Sequence, residues 1–150
     1  MEICKATKND LPEILSLQHL SYQSEAALFK SNDIPPLKQT LEELNYEFDN
    51  GIILKLVLDN NAIIGSVRAT LKDKTAHIGK LMVHPDYRHK GFGTKLIMEI
   101  ESYYPEARYE LFTSTRSANN IRLYQKLGYE IFDQKKINDE LIFVYMQKLD

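Results

Sequence analysis

The sequence predicts an α/β domain of the α+β type, with a mixed, largely antiparallel sheet of six to seven strands flanked by about four helices. Three observations carry that expectation. Apolar runs at residues 52–58 and 62–71 are joined at Asp59-Asn60-Asn61, where asparagine tolerates the positive φ of a hairpin turn. Residues 77–98 pass from a short aliphatic run through a turn and a glycine-rich loop into a helical period. The chain of 150 residues is 43% hydrophobic and 27% charged, enough for one full core and too short for two typical domains, so 1–150 reads as a single domain.

Taken in order, residues 2–7 alternate weakly and predict an edge strand. A helix should follow from Asn9 to about Leu20, with Asp10 as cap, Glu13 three residues on and Pro12 in the first turn, and with Leu11, Ile14, Leu15 and Leu17 on its buried face. Tyr22, Glu25 and Phe29 are compatible with a continued helix, but Ser31-Asn32-Asp33 and Pro35-Pro36 predict a loop. A second helix is expected over Lys38–Phe48, closed by Asn50-Gly51. The runs at 52–58 and 62–71 then form a hairpin, and a second turn at Lys72-Asp73-Lys74 leads into the strand at 77–83, giving three antiparallel strands.

That strand should stop near His84, because Pro85 has no N–H for a ladder. The helix after Gly93 runs to about Tyr104, and Tyr109–Thr113 is a strand parallel to 77–83 if the helix is a crossover. A helix over Ala118–Leu127 and strands at Tyr129–Phe132 and Leu141–Leu149 complete the domain. The last strand, if it is an edge, offers a surface through which two copies could pair as a homodimer.

The loop between strand and helix carries the first chemical signal. Arg88-His89-Lys90-Gly91-Phe92-Gly93-Thr94 joins basic side chains to two glycines at a helix start, where unpaired N–H groups and the helix dipole favour an anion such as phosphate. It is not a P-loop, since no Gly-x-x-x-x-Gly-Lys-Ser/Thr run exists, and it lacks the third glycine of a dinucleotide fingerprint.

The remaining pattern, Arg-x-x-Gly-x-Gly after a strand ending Val-His-Pro, resembles the pyrophosphate-binding motif of the GNAT superfamily of N-acetyltransferases. Residues 118–129, ANNIRLYQKLGY, resemble the family's later motif, a helix that carries Leu-Tyr and ends at Gly-Tyr. The resemblance covers the second half of the chain closely and the first half in its order of elements. It implies the GNAT fold, acetyl-coenzyme A as cofactor, and direct attack of an amine on the thioester without a covalent enzyme intermediate. It also implies that the two parallel strands splay apart to admit the pantetheine arm.

The resemblance places the pyrophosphate on the N–H groups around Arg88, His89, Lys90, Gly91, Phe92, Gly93 and Thr94. It sets pantetheine along Leu81, Met82 and Val83, with the Leu81 N–H polarising the thioester carbonyl. Tyr124 matches the tyrosine that protonates the leaving thiolate, although the spacing of Ile121, Tyr124 and Leu127 also suits packing. The family's Asn seven residues earlier is Ser117 here, and Asn120 is the nearby candidate for a cofactor contact. His77 is the candidate general base, because strand alternation puts His77, Gly79 and Leu81 on one face and histidine titrates in the right range; some family members use a water chain instead. Tyr22 and Glu25 are candidates for holding the acceptor, and Arg68 for pairing with a substrate carboxylate or simply facing outward.

Composition narrows the rest. A net charge of −2 with no block of like charge argues against nucleic acid or an anionic membrane as partner. The expected home is a reducing cytoplasm, given one cysteine, Cys4, and no signal-peptide-like apolar stretch at the N-terminus. Cysteine and histidine spacing suggests no metal site. The acceptor is read as a small-molecule amine. The competing readings are an acetyltransferase acting on protein N-termini or lysines, and a non-catalytic acyl-coenzyme A binding module.

Overall fold

Two hairpin turns set the middle of the sheet. Asn61, with φ 69°, turns the chain between β2 (Ile52–Val57) and β3 (Ile63–Lys72). Asp73 and Lys74, with φ 51° and 65°, form the two-residue turn between β3 and β4 (Thr75–Val83), the left-handed pair that matches the twist of a tight hairpin. The computed structural model describes residues 1–29, 34–139 and 141–149.

The remaining strands are β1 (Glu2–Lys5), β5 (Arg108–Ser114), β6 (Glu130–Asn138) and β7 (Leu141–Lys148), and the sheet order is β1-β2-β3-β4-β5-β7-β6. Every neighbouring pair is antiparallel except β4 and β5, which are parallel. The helices are α1 (Leu11–Phe29), the short α2 (Pro35–Lys38), α3 (Leu41–Asp49), α4 (Phe92–Ser102) and α5 (Ala118–Lys126). The mixed, largely antiparallel sheet of the expected fold is therefore present, with seven strands and five helices among the described residues.

The sheet is covered on both faces. Leu96, Ile97 and Ile100 of α4 pack with Leu54, Leu56, Val67, Ala69, Ala76 and Ile78 on one face. On the other, Leu11, Ile14 and Leu17 of α1 and Leu44 of α3 pack with Ile53, Ile63 and Met82. α4 is the crossover between β4 and β5, so the parallel pair is built by the connection that parallel strands require.

Several expectations are corrected. The first helix does not stop near Leu20 but runs to Phe29, because no glycine or proline interrupts it and Ala26 is buried against Ile34 and Leu141. Its cap is not Asp10: Thr7 opens a 3-10 turn at Lys8–Asp10, and its N–H donates to the Asp10 carboxylate at 2.7 Å. The expected helix over Lys38–Phe48 is broken, since Gln39 is extended and Thr40 starts α3 with a reciprocal cap to Glu43. Pro35 and Pro36 open the short helix α2, where a missing N–H is harmless. The expected loop at Ser31-Asn32-Asp33 lies outside the described residues. β6 extends well past Phe132, since its polar run is a strand exposed along its whole length and paired with β7. The last strand is not an edge: β7 lies between β5 and β6, so pairing of copies through it is blocked, and the edges are β1 and β6.

Candidate active site

The site begins at an irregularity in β4. Ser66 faces Met82 and Arg68 faces Gly79, so Val67 alone is opposed by both Lys80 and Leu81, and Lys80 takes a left-handed φ of 53°. This is a β-bulge, which reverses the inward and outward alternation of the strand beyond it. Ala76 and Ile78 lie in the core beneath α4 and Leu81 and Val83 pack against it, whereas Met82 belongs to the opposite core beneath α1 and α3. His77 and Leu81 therefore do not share a face as simple alternation predicts.

The parallel pair of β4 and β5 is short. Its register joins Thr75 to Arg108, Ala76 to Tyr109 and His77 to Glu110, and no further pairs continue it along Ile78–Val83. A cleft of about 170 Å³ opens where pairing ceases, walled by Ile78–Leu81 of β4 and Leu111–Ser114 of β5 and closed by Asn120 and Tyr124 of α5. Tyr22 of α1 borders it too, and its hydroxyl donates to the Leu81 carbonyl at 3.5 Å. The structure thus brings Leu81, Tyr124, Asn120 and Tyr22 to one cavity. Tyr124 is buried, with its ring 6.0 Å from that of Tyr129. Glu25 lies on α1, but its side chain is outside the described residues.

The basic loop lies at the N-terminus of α4. His89 and Gly91 adopt left-handed φ values of 63° and 84°, and Gly91 caps the helix, whose first turn carries no acidic residue. Gly93 has a different reason to be glycine: a Cβ there would lie 3.3 Å from Leu123 Cδ2 and 3.7 Å from Leu81 Cδ2. The start of α4 therefore adjoins both α5 and the β4 wall of the cleft. Arg88 is turned back from the loop, with Nε donating to the Val83 carbonyl at 3.1 Å and Nη2 to the Ser21 carbonyl at 2.9 Å. Lys90 lies over the Tyr87 ring at 5.9 Å. Ser117 occupies the cap position of α5 without capping it, and its buried hydroxyl has no hydrogen-bond partner among the described residues.

His77 is on the side of the sheet facing α1 and α3, about two-fifths exposed, with Nδ1 3.6 Å from Glu110 Oε2. Arg68 does not face outward. It is 6% exposed, bonded through Nη2 to Gln18 and Gln39, with Nη1 3.0 Å from Glu47 Oε2. Lys80 was not anticipated as a site residue; burial and the neighbouring Arg68 push its ammonium below the usual lysine range, against the opposing effect of Glu47. The only signal in the sequence was a lysine within an otherwise apolar strand run.

An elongated thioester cofactor with a pyrophosphate at one end fits these residues. A glycine-capped helix start stands at one end of an apolar cleft, and the cleft opens between strands whose pairing has stopped.

Residues 12–129 match the family described as Acetyltransferase (GNAT) family. The chain is also 26% identical over 145 residues to the uncharacterized protein YyaT of Bacillus subtilis (strain 168), covering 95% of this chain and 90% of that one. Among solved structures it is similar to the PaiA N-acetyltransferase from Thermoplasma acidophilum in complex with coenzyme A, at 19% identity and a TM-score of 0.82 over 99% of this chain and 98% of that one. It is similar as well to the ribosomal-protein-S18-alanine N-acetyltransferase from Escherichia coli, at 14% identity and a TM-score of 0.81 over 99% and 92% of the two chains.

Proposed function

The chain belongs to the acetyltransferase (GNAT) family, and from that premise we propose that it moves an acetyl group from acetyl-coenzyme A to the primary amine of a small molecule by direct attack. The observation that carries this reading is the cleft at the end of β4–β5 pairing, which gathers Leu81 and Tyr124 beside the glycine-capped start of α4. Bound acetyl-coenzyme A would supply the activated acyl group.

The chain's own groups divide the work. Backbone N–H groups of Arg88–Thr94 hold the pyrophosphate, with the left-handed His89 and Gly91 shaping the turn. Arg88 acts by tying the loop to the end of β4 and to α1, and its loss would loosen the loop. Leu81, Met82 and Val83 present backbone to the pantetheine arm. The Leu81 N–H meets the charge that grows on the thioester oxygen, a kind of contact worth about 10²–10³ in rate. Asn120 reaches the cofactor from α5. Tyr124 hands a proton to the departing sulfur and His77 takes one from the amine, with Glu110 orienting the imidazole. Tyr22 borders the acceptor from α1.

The test is release of free thiol from acetyl-coenzyme A across polyamines, amino acids, aminoglycosides and short peptides, with wild type beside Tyr124→Phe. Turnover of one small-amine class, impaired in the variant, is the expected result. Coenzyme A binding without turnover of any amine would overturn it.

A further inference from the structure

A second hollow, of about 140 Å³, adjoins the cleft on the face of the sheet turned toward α1 and α3. Glu47, Arg68, Thr70, His77, Gly79 and Lys80 line it, and Gly79 and Lys80 border the cleft as well. Any molecule lodged in the hollow is thus within a few bonds of the place where β4 and β5 part.

The hollow has more positive charge than its own anion balances. Arg68 and Lys80 face a single lining carboxylate, Glu47. The Arg68–Glu47 contact is close but lacks hydrogen-bond alignment. Arg68 Nε and Nη1 and Glu47 Oε2 are all buried without a hydrogen-bond partner among the described residues. Gln18 and Gln39 occupy only Nη2, so the guanidinium is oriented from behind while two of its nitrogens remain unsatisfied. No hydrogen bond or ion pair joins Lys80 to another described residue. At the rim, Glu110 is taken up by Arg108, whose Nη1 donates to its Oε1 at 2.8 Å, so it does not offset that excess. Buried donors and cations without partners are costly, and a compact anion removes that cost. Burial pushes the Arg68 guanidinium and the Lys80 ammonium below their usual ranges, against the opposing charge of Glu47.

We infer that this hollow takes the carboxylate of the acceptor, held by Arg68 and Lys80, so that the acceptor class is amino acids and amino-acid-like amines rather than polyamines. The inference rests on the acetyl-transfer reading of the adjoining cleft. Lys80 reaches the hollow because of the bulge: its left-handed backbone lets Lys80 and Leu81 share one position opposite Val67, with Leu81 kept on the other face. A dicationic amine would meet two like charges there.

The experiment compares matched pairs, L-phenylalanine with phenethylamine and L-lysine with cadaverine, by kcat/KM in wild type, Lys80→Met and Lys80→Gln. Expected is a preference for the acid of at least about tenfold, as for a site whose buried donors go unpaired with the wrong substrate, falling at least about tenfold in whichever Lys80 variant keeps the wild-type circular dichroism. Equal use of both partners, preference for the decarboxylated amine, or an unchanged ratio in the variant would each overturn it. Calorimetry of the same pairs on the coenzyme A-loaded protein separates this from failure of the transfer reading. Acid-selective heat that is lost in the variant, without turnover, supports the carboxylate site while transfer fails. Absent or unselective heat, without turnover, overturns the carboxylate site.

Discussion

His77 Nδ1 stands 3.6 Å from Glu110 Oε2, at the last register pair that joins β4 to β5 before the strands part. A carboxylate in that position is placed to orient the imidazole of a residue that takes a proton from an amine. His77→Gln should therefore lower kcat about 10²-fold or more at neutral pH, with coenzyme A affinity retained. Glu110→Gln should lower it by less, since the base remains but is less well held. Steady-state kinetics with both variants checks the assignment; an unaffected kcat in His77→Gln would transfer the role to a water chain.

Tyr124→Phe separates chemistry from packing. The ring is buried beside Tyr129, so phenylalanine preserves the contact and removes only the hydroxyl. A proton donor to the leaving thiolate predicts a kcat about 10²-fold lower, with the wild-type circular dichroism retained. Single-turnover measurement of thiol release distinguishes this from slower product release. A variant that turns over like wild type would leave Tyr124 as core.

The stretch from β4 to α4 was legible because its signals are local: Pro85 ends a strand, Gly91 permits a left-handed cap, and the helical period of Leu96, Ile97 and Ile100 follows. Tyr124 and Asn120 were legible from the motif on α5 and line the cleft. What was missed depends on distant contacts. Nothing in Gly79-Lys80-Leu81 announces a bulge, because the extra residue is defined only against Val67 on β3, and without it His77 and Leu81 look coplanar. The length of α1 depends on Ala26 meeting Leu141, more than a hundred residues away. The inner place of β7 is a strand-order fact that no local pattern encodes. Arg68 reads equally as a carboxylate partner or an outward strand residue until α1 and α3 close over it with Gln18 and Glu47.

Gly91 and Gly93 should fail differently. At Gly91 open space surrounds the would-be Cβ, but φ is 84°, so Gly91→Ala strains the backbone by about 1–2 kcal/mol and distorts the loop. At Gly93 the backbone is helical and the obstacle is the end of the Leu123 side chain at 3.3 Å, which can shift by a few tenths of an ångström. Gly93→Ala should therefore cost less stability than Gly91→Ala, and the branched Gly93→Val should cost more than Gly93→Ala by displacing Leu123. Urea unfolding ranks the three, and calorimetry with coenzyme A reports whether the loop still binds. A Gly91→Ala protein as stable and as tight-binding as wild type would remove the loop geometry from the account.

Alkaline stability should report on a cluster that backs onto the cleft through the Tyr124 ring. The Tyr129 hydroxyl donates to Glu101 Oε2 at 2.7 Å, and Lys148 Nζ holds both oxygens of the same carboxylate at 3.1 Å. Burial first, and then the hydrogen bond and charge of Glu101, push the Tyr129 phenol far above the usual tyrosine range. A phenol that ionises later in the folded state binds more protons there than in the unfolded chain at high pH. Its contribution is therefore complete below about pH 10, where unfolded tyrosine is neutral, and declines as pH rises beyond that. Tyr129→Phe should cost about 1–2 kcal/mol at neutral pH by leaving one carboxylate lone pair without its donor, and this gap to wild type should narrow above about pH 10. Other tyrosines, such as the partly buried Tyr104, whose phenol burial also pushes up, titrate in both proteins, so the difference between the two denaturation curves isolates Tyr129. A gap that stays constant from neutral pH to pH 11 would show that the phenol is not held in its neutral form by Glu101.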